Sequence, residues 1–214
     1  MASELEHRGF RAVVPVLSNH GEGLYWRRHA RQVAAAIGDS RLSSLVLVGH
    51  SGAGGILPVI AAELGVRPAA YVFVDAGVPE DGKSRFDLFG DVEPVEWLRS
   101  LAQNGYLPPW NTWFPAEALA EIMSEPELRE RFVAELPSMP IAVYEEPLPV
   151  FPAWPDAPCV YLQLSSSYDA DRRRAEALGA VSLQREGGHF DMLTDPVAVA
   201  DDLIELLNRV TRSA

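Results

Sequence analysis

Two short stretches of the chain set nucleophilic and basic side chains among glycines. The first is Gly49-His50-Ser51-Gly52-Ala53, with Gly54 and Gly55 directly behind it. A serine held on a tight turn needs small neighbours, because its backbone is strained and the chain on either side passes close by. G-x-S-x-G is the pattern of a nucleophile elbow, and this stretch fits it apart from alanine in the fifth place. The second stretch is Glu186-Gly187-Gly188-His189-Phe190. Glycines ahead of a histidine permit the turn that carries an imidazole across to a serine. A serine with a histidine base performs acyl transfer through a covalent intermediate. The competing reading of the first stretch is a glycine-rich turn that binds phosphate or only packs tightly. It lacks the G-K-[ST] ending of a P-loop and the G-x-G-x-x-G of a dinucleotide site. The five histidines show no H-E-x-x-H spacing, and neither metal nor cofactor is expected. His7 and His29 read as surface or packing residues, whereas His20 lies in a polar loop within reach of a substrate pocket.

These side chains need elements to hold them. Leu45-Val46-Leu47-Val48 is an apolar, β-branched run that suits a strand buried on both faces of a parallel sheet. Ile56 to Ala62 resumes with the content of a buried helix, and Pro58 falls in its first turns, where a missing N–H costs little. Ahead of these, Met1 to Arg8 reads as a helix closed at Gly9, Phe10 to Leu17 as a strand, and Leu24 to Ile37 as a helix ended by Gly38. Behind them, Ala69 to Val74 reads as a second buried strand. Asp75 follows it, at the strand end that faces the active-site edge of such a sheet. A loop cap or a lid anchor also explains an aspartate there. Cys159 to Leu164 and Val181 to Leu183 complete the strands, with Cys159 in the core, and Asp195 to Val210 is the closing helix.

From Glu80 to Asp156 the pattern changes: prolines cluster, Trp97, Trp110, Trp113 and Trp154 appear, and the helical pieces shorten. Val92 to Asn104 and Ala116 to Leu136 are the expected helices, the latter interrupted at Ser124 and Pro126. Trp110 and Trp113 suit either an apolar binding wall or a small core of the segment itself. Glu145-Glu146-Pro147 reads as an acidic surface turn.

With 214 residues and 48% hydrophobic content, the chain can bury a full core in one domain with room for an insertion. A net charge of −12 disfavours nucleic acid and anionic membrane surfaces as partners. The single cysteine excludes an internal disulfide framework and suits a reducing compartment. There is no long apolar run, and the N-terminal MASELEHRGF is charged where a signal peptide is hydrophobic, so a cytoplasmic location is expected.

From about Gly9 to its C-terminus the sequence resembles the α/β-hydrolase superfamily, on the strength of the Gly49 to Ala53 elbow, the strand pattern and the order serine, acid, histidine. The resemblance implies an α/β fold: a mostly parallel sheet flanked by helices, with a core of 1–79 and 157–214 and a helical lid over about 80–156. It implies Ser51 as nucleophile, the Gly52 N–H as half of an oxyanion hole, His189 as base, and Asp169, a few residues beyond the Cys159 strand, as acid. Asp75 is the alternative acid. His50, Trp110 and Trp113 are expected at the substrate. A typical member opens with a strand and a loop that supplies the second oxyanion N–H, and this chain starts in the helix that follows. The N-terminal strands are thus expected to be missing, through an internal start or a shortened protein, which leaves a sheet edge open to a homodimer.

The chemistry expected is hydrolysis of a small, largely apolar, neutral carboxylic ester or thioester. The rivals are an impaired hydrolase-like binding protein, since losing one oxyanion donor costs about 10²–10³ in turnover, and lyase or cyclase chemistry in the same pocket.

Overall fold

Parallel strands buried on both faces read as unbroken apolar runs, and two such runs form the middle of the sheet. The computed structural model describes residues 1–38 and 44–211. In chain order these contain α1 (Ala2–His7), α2 (Tyr25–Ile37), β1 (Val46–Ser51), α3 (Leu57–Leu64) and β2 (Ala70–Ala76). There follow α4 (Val92–Leu101), β3 (Tyr106–Leu107), α5 (Ala116–Ile122), α6 (Pro126–Glu135), β4 (Met139–Pro140) and α7 (Ala142–Glu145). The chain ends with β5 (Cys159–Gln163), α8 (Asp169–Ala177), β6 (Val181–Gln184), α9 (Asp191–Thr194) and α10 (Pro196–Thr211). The main sheet has the order β1-β2-β5-β6, with every neighbouring pair parallel. All residues of β2 and β5 are buried.

Alternate residues of β2 point to opposite faces, as strand geometry requires. Tyr71 and Phe73 join Ala30 and Val33 of α2 and Leu57 and Ile60 of α3 in one cluster. Val72 and Val74 join Leu203, Leu206 and Val210 of α10 in the other. Each fully buried Val, Leu or Phe stabilises the fold by about 1.5–3 kcal/mol. Pro58 lies in the first turn of α3, and Gly65, at φ 63, closes that helix.

The segment 80–156 carries its own small core of Phe86, Leu98 and Leu107 and a short antiparallel ladder between β3 and β4. The helical run from 116 breaks as its sequence implies, with Pro126 opening α6. Glu146 is no idle surface charge: its carboxylate accepts the N–H groups of Tyr25 at 2.7 Å and Trp26 at 3.3 Å, satisfying the first turn of α2.

One element differs from expectation. Phe10 to Leu17 forms no strand, and Val14 and Val16 are 75% and 91% exposed. The β-branched composition is right, but a strand exists only against a partner. Among the described residues β1 pairs with β2 alone, and nothing offers a ladder to Phe10–Leu17. Among the described residues no strand lies on the other side of β1, and its Val48 is 41% exposed.

Candidate active site

Ser51 ends β1 at φ 55 and ψ −126, a conformation rare for a residue with a side chain. Close packing holds it there. A Cβ on Gly49 would lie 2.8 Å from the backbone of Gly54. One on Gly54 would collide with the Gly77 carbonyl oxygen and lie 2.9 Å from the Ala76 side chain. Gly52 by contrast has open space around its Cα. The close approach therefore falls at Gly54, which explains why alanine is accommodated at Ala53. The Gly52 N–H opens the single turn Gly52–Ile56, where helical N–H groups have no partner within the helix.

The neighbouring strand ends in a second strained residue. Asp75 has φ 42, and the β1–β2 register jumps there, with His50 opposite Val74 and Ser51 opposite Ala76. Asp75 is thus a bulged residue, aimed away from the ladder and fully buried. Its Oδ1 accepts the N–H groups of Leu164 at 2.9 Å and Ser165 at 3.0 Å. Its Oδ2 accepts the Ser165 hydroxyl at 2.6 Å and lies 2.7 Å from His189 Nδ1. Burial alone would raise this carboxyl group, but the bonds from His189, Ser165 and Leu164 outweigh it and hold Asp75 below the usual carboxylate range. An ionised Asp75 fixes the imidazole with its proton on Nδ1, leaving Nε2 as the basic atom.

Asp169 does not meet the histidine. The chain leaving β5 bonds Asp75 through Ser165, turns once through Ser166–Tyr168, and places Asp169 as the first residue of α8, where its carboxylate takes a hydrogen bond from Gln163. The position beside His189 Nδ1 is filled by Asp75. Asp171 is buried in an ion cluster with Arg85 at 3.3 Å and Arg174 at 2.8 Å.

His50 also differs from expectation. Its Nε2–H donates to the His189 carbonyl at 2.9 Å, and the two imidazoles lie 4.3 Å apart. Burial, and then the neighbouring His189, push His50 down to about 4, so it is a neutral donor that fixes the His189 backbone. It lines neither of the two cavities nearby. Trp113 likewise packs against the Phe86 cluster and donates its indole N–H to the Pro108 carbonyl at 2.8 Å, because the small core of segment 80–156 needs it. Trp110 does face the site: its ring lies 5.0 Å from Phe190, which in turn lies 5.0 Å from His189. His189 and Phe190 wall a cavity of about 270 Å³, and Trp110 walls a second of about 180 Å³. His20 is exposed and lines neither.

Sequence reasoning passed over Tyr168. Its hydroxyl lies 3.0 Å from Ser51 Oγ, and its ring stacks on His189 with centroids 5.1 Å apart and planes 6° apart. Among the described residues this is the hydrogen bond that Ser51 Oγ makes. Burial pushes the Tyr168 phenol up, so it stays protonated and is available as a donor. The contact spans 117 positions of sequence, and the neighbouring Asp169 carried the only signal. Cys159 is buried and its thiol is pushed up to about 12 by burial, which makes it unreactive. Among the described residues no group of three or more His, Cys, Asp or Glu side chains is placed to hold a metal ion, and no helix is long and apolar enough to cross a membrane.

The strained serine and the bulged aspartate end neighbouring parallel strands, Tyr168 touches both Ser51 and His189, and known proteins share the fold that carries these residues. A carbendazim hydrolyzing esterase from Nocardioides sp. is 29% identical over 102 residues, a match spanning 44% of this chain and 42% of that protein. The matched stretch thus covers under half the length of that relative. An extracellular alpha/beta-hydrolase from a Paenibacillus species superposes with a TM-score of 0.75 at 22% identity, covering 98% of this chain and 90% of that one. A pyrethroid hydrolase from Sphingobium faniae superposes with a TM-score of 0.70 at 17% identity, covering 97% and 90%. The family model of the alpha/beta hydrolases matches residues 1–202. The chain belongs to the alpha/beta hydrolase family.

Proposed function

We propose that the protein is a serine hydrolase in which Ser51, His189 and Asp75 form the triad and a small, largely apolar carboxylic ester or thioester is the substrate. Ser51 Oγ bonds to the carbonyl carbon while its proton passes to His189 Nε2. The Gly52 N–H meets the oxygen that gains charge. His189 then returns the proton to the leaving group, and water releases the acyl group by the same route. Asp75 keeps the imidazole in the tautomer that this sequence needs. The observation that carries the reading is the 2.7 Å contact of Asp75 with His189 Nδ1 beside a serine held at positive φ. The curated relative's name, an esterase, points to the same class. The segment 80–156 serves as the lid, since it brings Trp110 over Phe190. Hydrolysis of short-chain p-nitrophenyl esters by the wild type, absent in Ser51→Ala and His189→Ala, tests this. Turnover that survives Ser51→Ala would refute it.

A second reading, a binding protein with impaired hydrolysis, draws on the Ser51 hydroxyl being bonded to Tyr168. Under it, a folded sample binds apolar esters without turnover.

A further inference from the structure

The space beyond His189 continues past what acyl transfer itself requires. The cavity walled by His189 and Phe190 shares Ile122 with the cavity of about 180 Å³ lined by Trp110, Phe114 and Leu119. The rings there meet edge to face, Trp110 with Phe190 at 5.0 Å and Trp110 with Phe114 at 5.6 Å. An apolar cavity of about 150 Å³ takes up benzene, so this space admits one aromatic ring. Its walls would extend the same edge-to-face packing around that ring, which an aliphatic group cannot reproduce. Glu121 and Asp191 stand at the first cavity and disfavour a negatively charged ring substituent. The side of the substrate follows from the proton. His189 hands its proton to the leaving-group oxygen, so the leaving group enters the cavity that His189 walls, and its ring extends past Ile122 into the Trp110 cavity.

We propose that the Trp110 cavity is the leaving-group subsite and selects neutral esters of aromatic alcohols. This rests on the serine-hydrolase reading above. In the step proposed, Ser51 Oγ bonds to the carbonyl carbon and its proton moves to His189. The bond from that carbon to the alcohol oxygen then breaks, the oxygen takes the proton, and the aromatic alcohol leaves through the Trp110 cavity.

Two isomeric esters separate the ring's position: benzyl acetate carries it on the alcohol and methyl phenylacetate on the acyl group. The expected kcat/KM is about 10-fold higher for benzyl acetate, and about 3-fold higher for benzyl acetate than for cyclohexylmethyl acetate. Trp110→Ala narrows the isomer ratio to about 2-fold or less. Phe114→Leu, at a position 43% exposed and so tolerant of change, narrows it in the same direction. An isomer ratio near or below unity in the wild type, or one unmoved in both variants, overturns the proposal. If no ester is turned over, the hydrolase reading fails. Calorimetry of Ser51→Ala with benzyl alcohol and cyclohexylmethanol then still decides the subsite. Tighter benzyl alcohol that is lost with Trp110→Ala supports it, and equal affinity overturns it.

Discussion

Replacing Asp75 by asparagine changes one atom and separates the two aspartates that sequence reasoning offered as the acid. The buried carboxylate has its Oδ1 committed to two backbone donors, the N–H groups of Leu164 and Ser165. In Asp75→Asn the amide oxygen must take that place, because an amide nitrogen there would face two donors. The NH₂ group then faces the Ser165 hydroxyl and His189 Nδ1, which lie 2.6 and 2.7 Å from Oδ2. The Ser165 hydroxyl can rotate to accept. His189 can accept only by moving its proton to Nε2, the atom that takes the proton of Ser51 in the proposed mechanism. The variant therefore folds, at a cost of about 1–3 kcal/mol for exchanging a charged acceptor in a buried network. Its kcat falls by about 10³–10⁴, or about 5 kcal/mol in the barrier, as expected for a triad histidine in the wrong tautomer. Asp169→Asn, at a residue bonded to Gln163 on α8, changes kcat by less than about twofold. The assay is p-nitrophenyl ester turnover, with urea titration and circular dichroism to confirm folding. A folded Asp75→Asn within about tenfold of wild type, or an Asp169→Asn that loses activity instead, would rule out Asp75 as the acid.

Three further outcomes are expected. Tyr168→Phe keeps the stack on His189 but releases Ser51 from a bond of about 1 kcal/mol, so Ser51 reacts about 5-fold faster with a fluorophosphonate; a slower reaction would instead give the hydroxyl a role in the transition state. His50 stays neutral to about 4 in the folded protein against an ordinary 6.5, so as pH falls the unfolded chain takes up its proton first and stability is lost. The loss is about 2 kcal/mol between about pH 7 and about pH 5, and urea titrations should show it shrink in His50→Gln; equal slopes for the two proteins would contradict it. Gly54→Ala lowers stability by about 3 kcal/mol because its methyl group meets the Gly77 carbonyl, whereas Gly52→Ala, which meets nothing, costs under about 1 kcal/mol; equal melting temperatures would show that the elbow is looser than described.

The strand, turn and helix around Ser51 were legible because each is written locally, in an apolar β-branched run, a cluster of glycines and a proline in a first turn. His189 was legible for the same reason, since Gly187 and Gly188 precede it. Phe10–Leu17 shows the limit of local reading. Val13, Val14 and Val16 favour strand, yet pairing depends on a partner edge that composition does not reveal. The acid shows another limit. Asp75 and Asp169 both follow buried strands, and nothing near either residue records that β2 bulges at Asp75 or that Ser165 supplies a hydroxyl to it. The positions of His50 and Tyr168 depend on contacts with residues 139 and 117 positions away, and only the folded chain brings those together.

Activation of Ser51 as a nucleophile is read from intact mass after incubation with a fluorophosphonate. One adduct is expected on the wild type and none on Ser51→Ala. A folded wild type that takes no adduct, or an adduct that persists in Ser51→Ala, would contradict it.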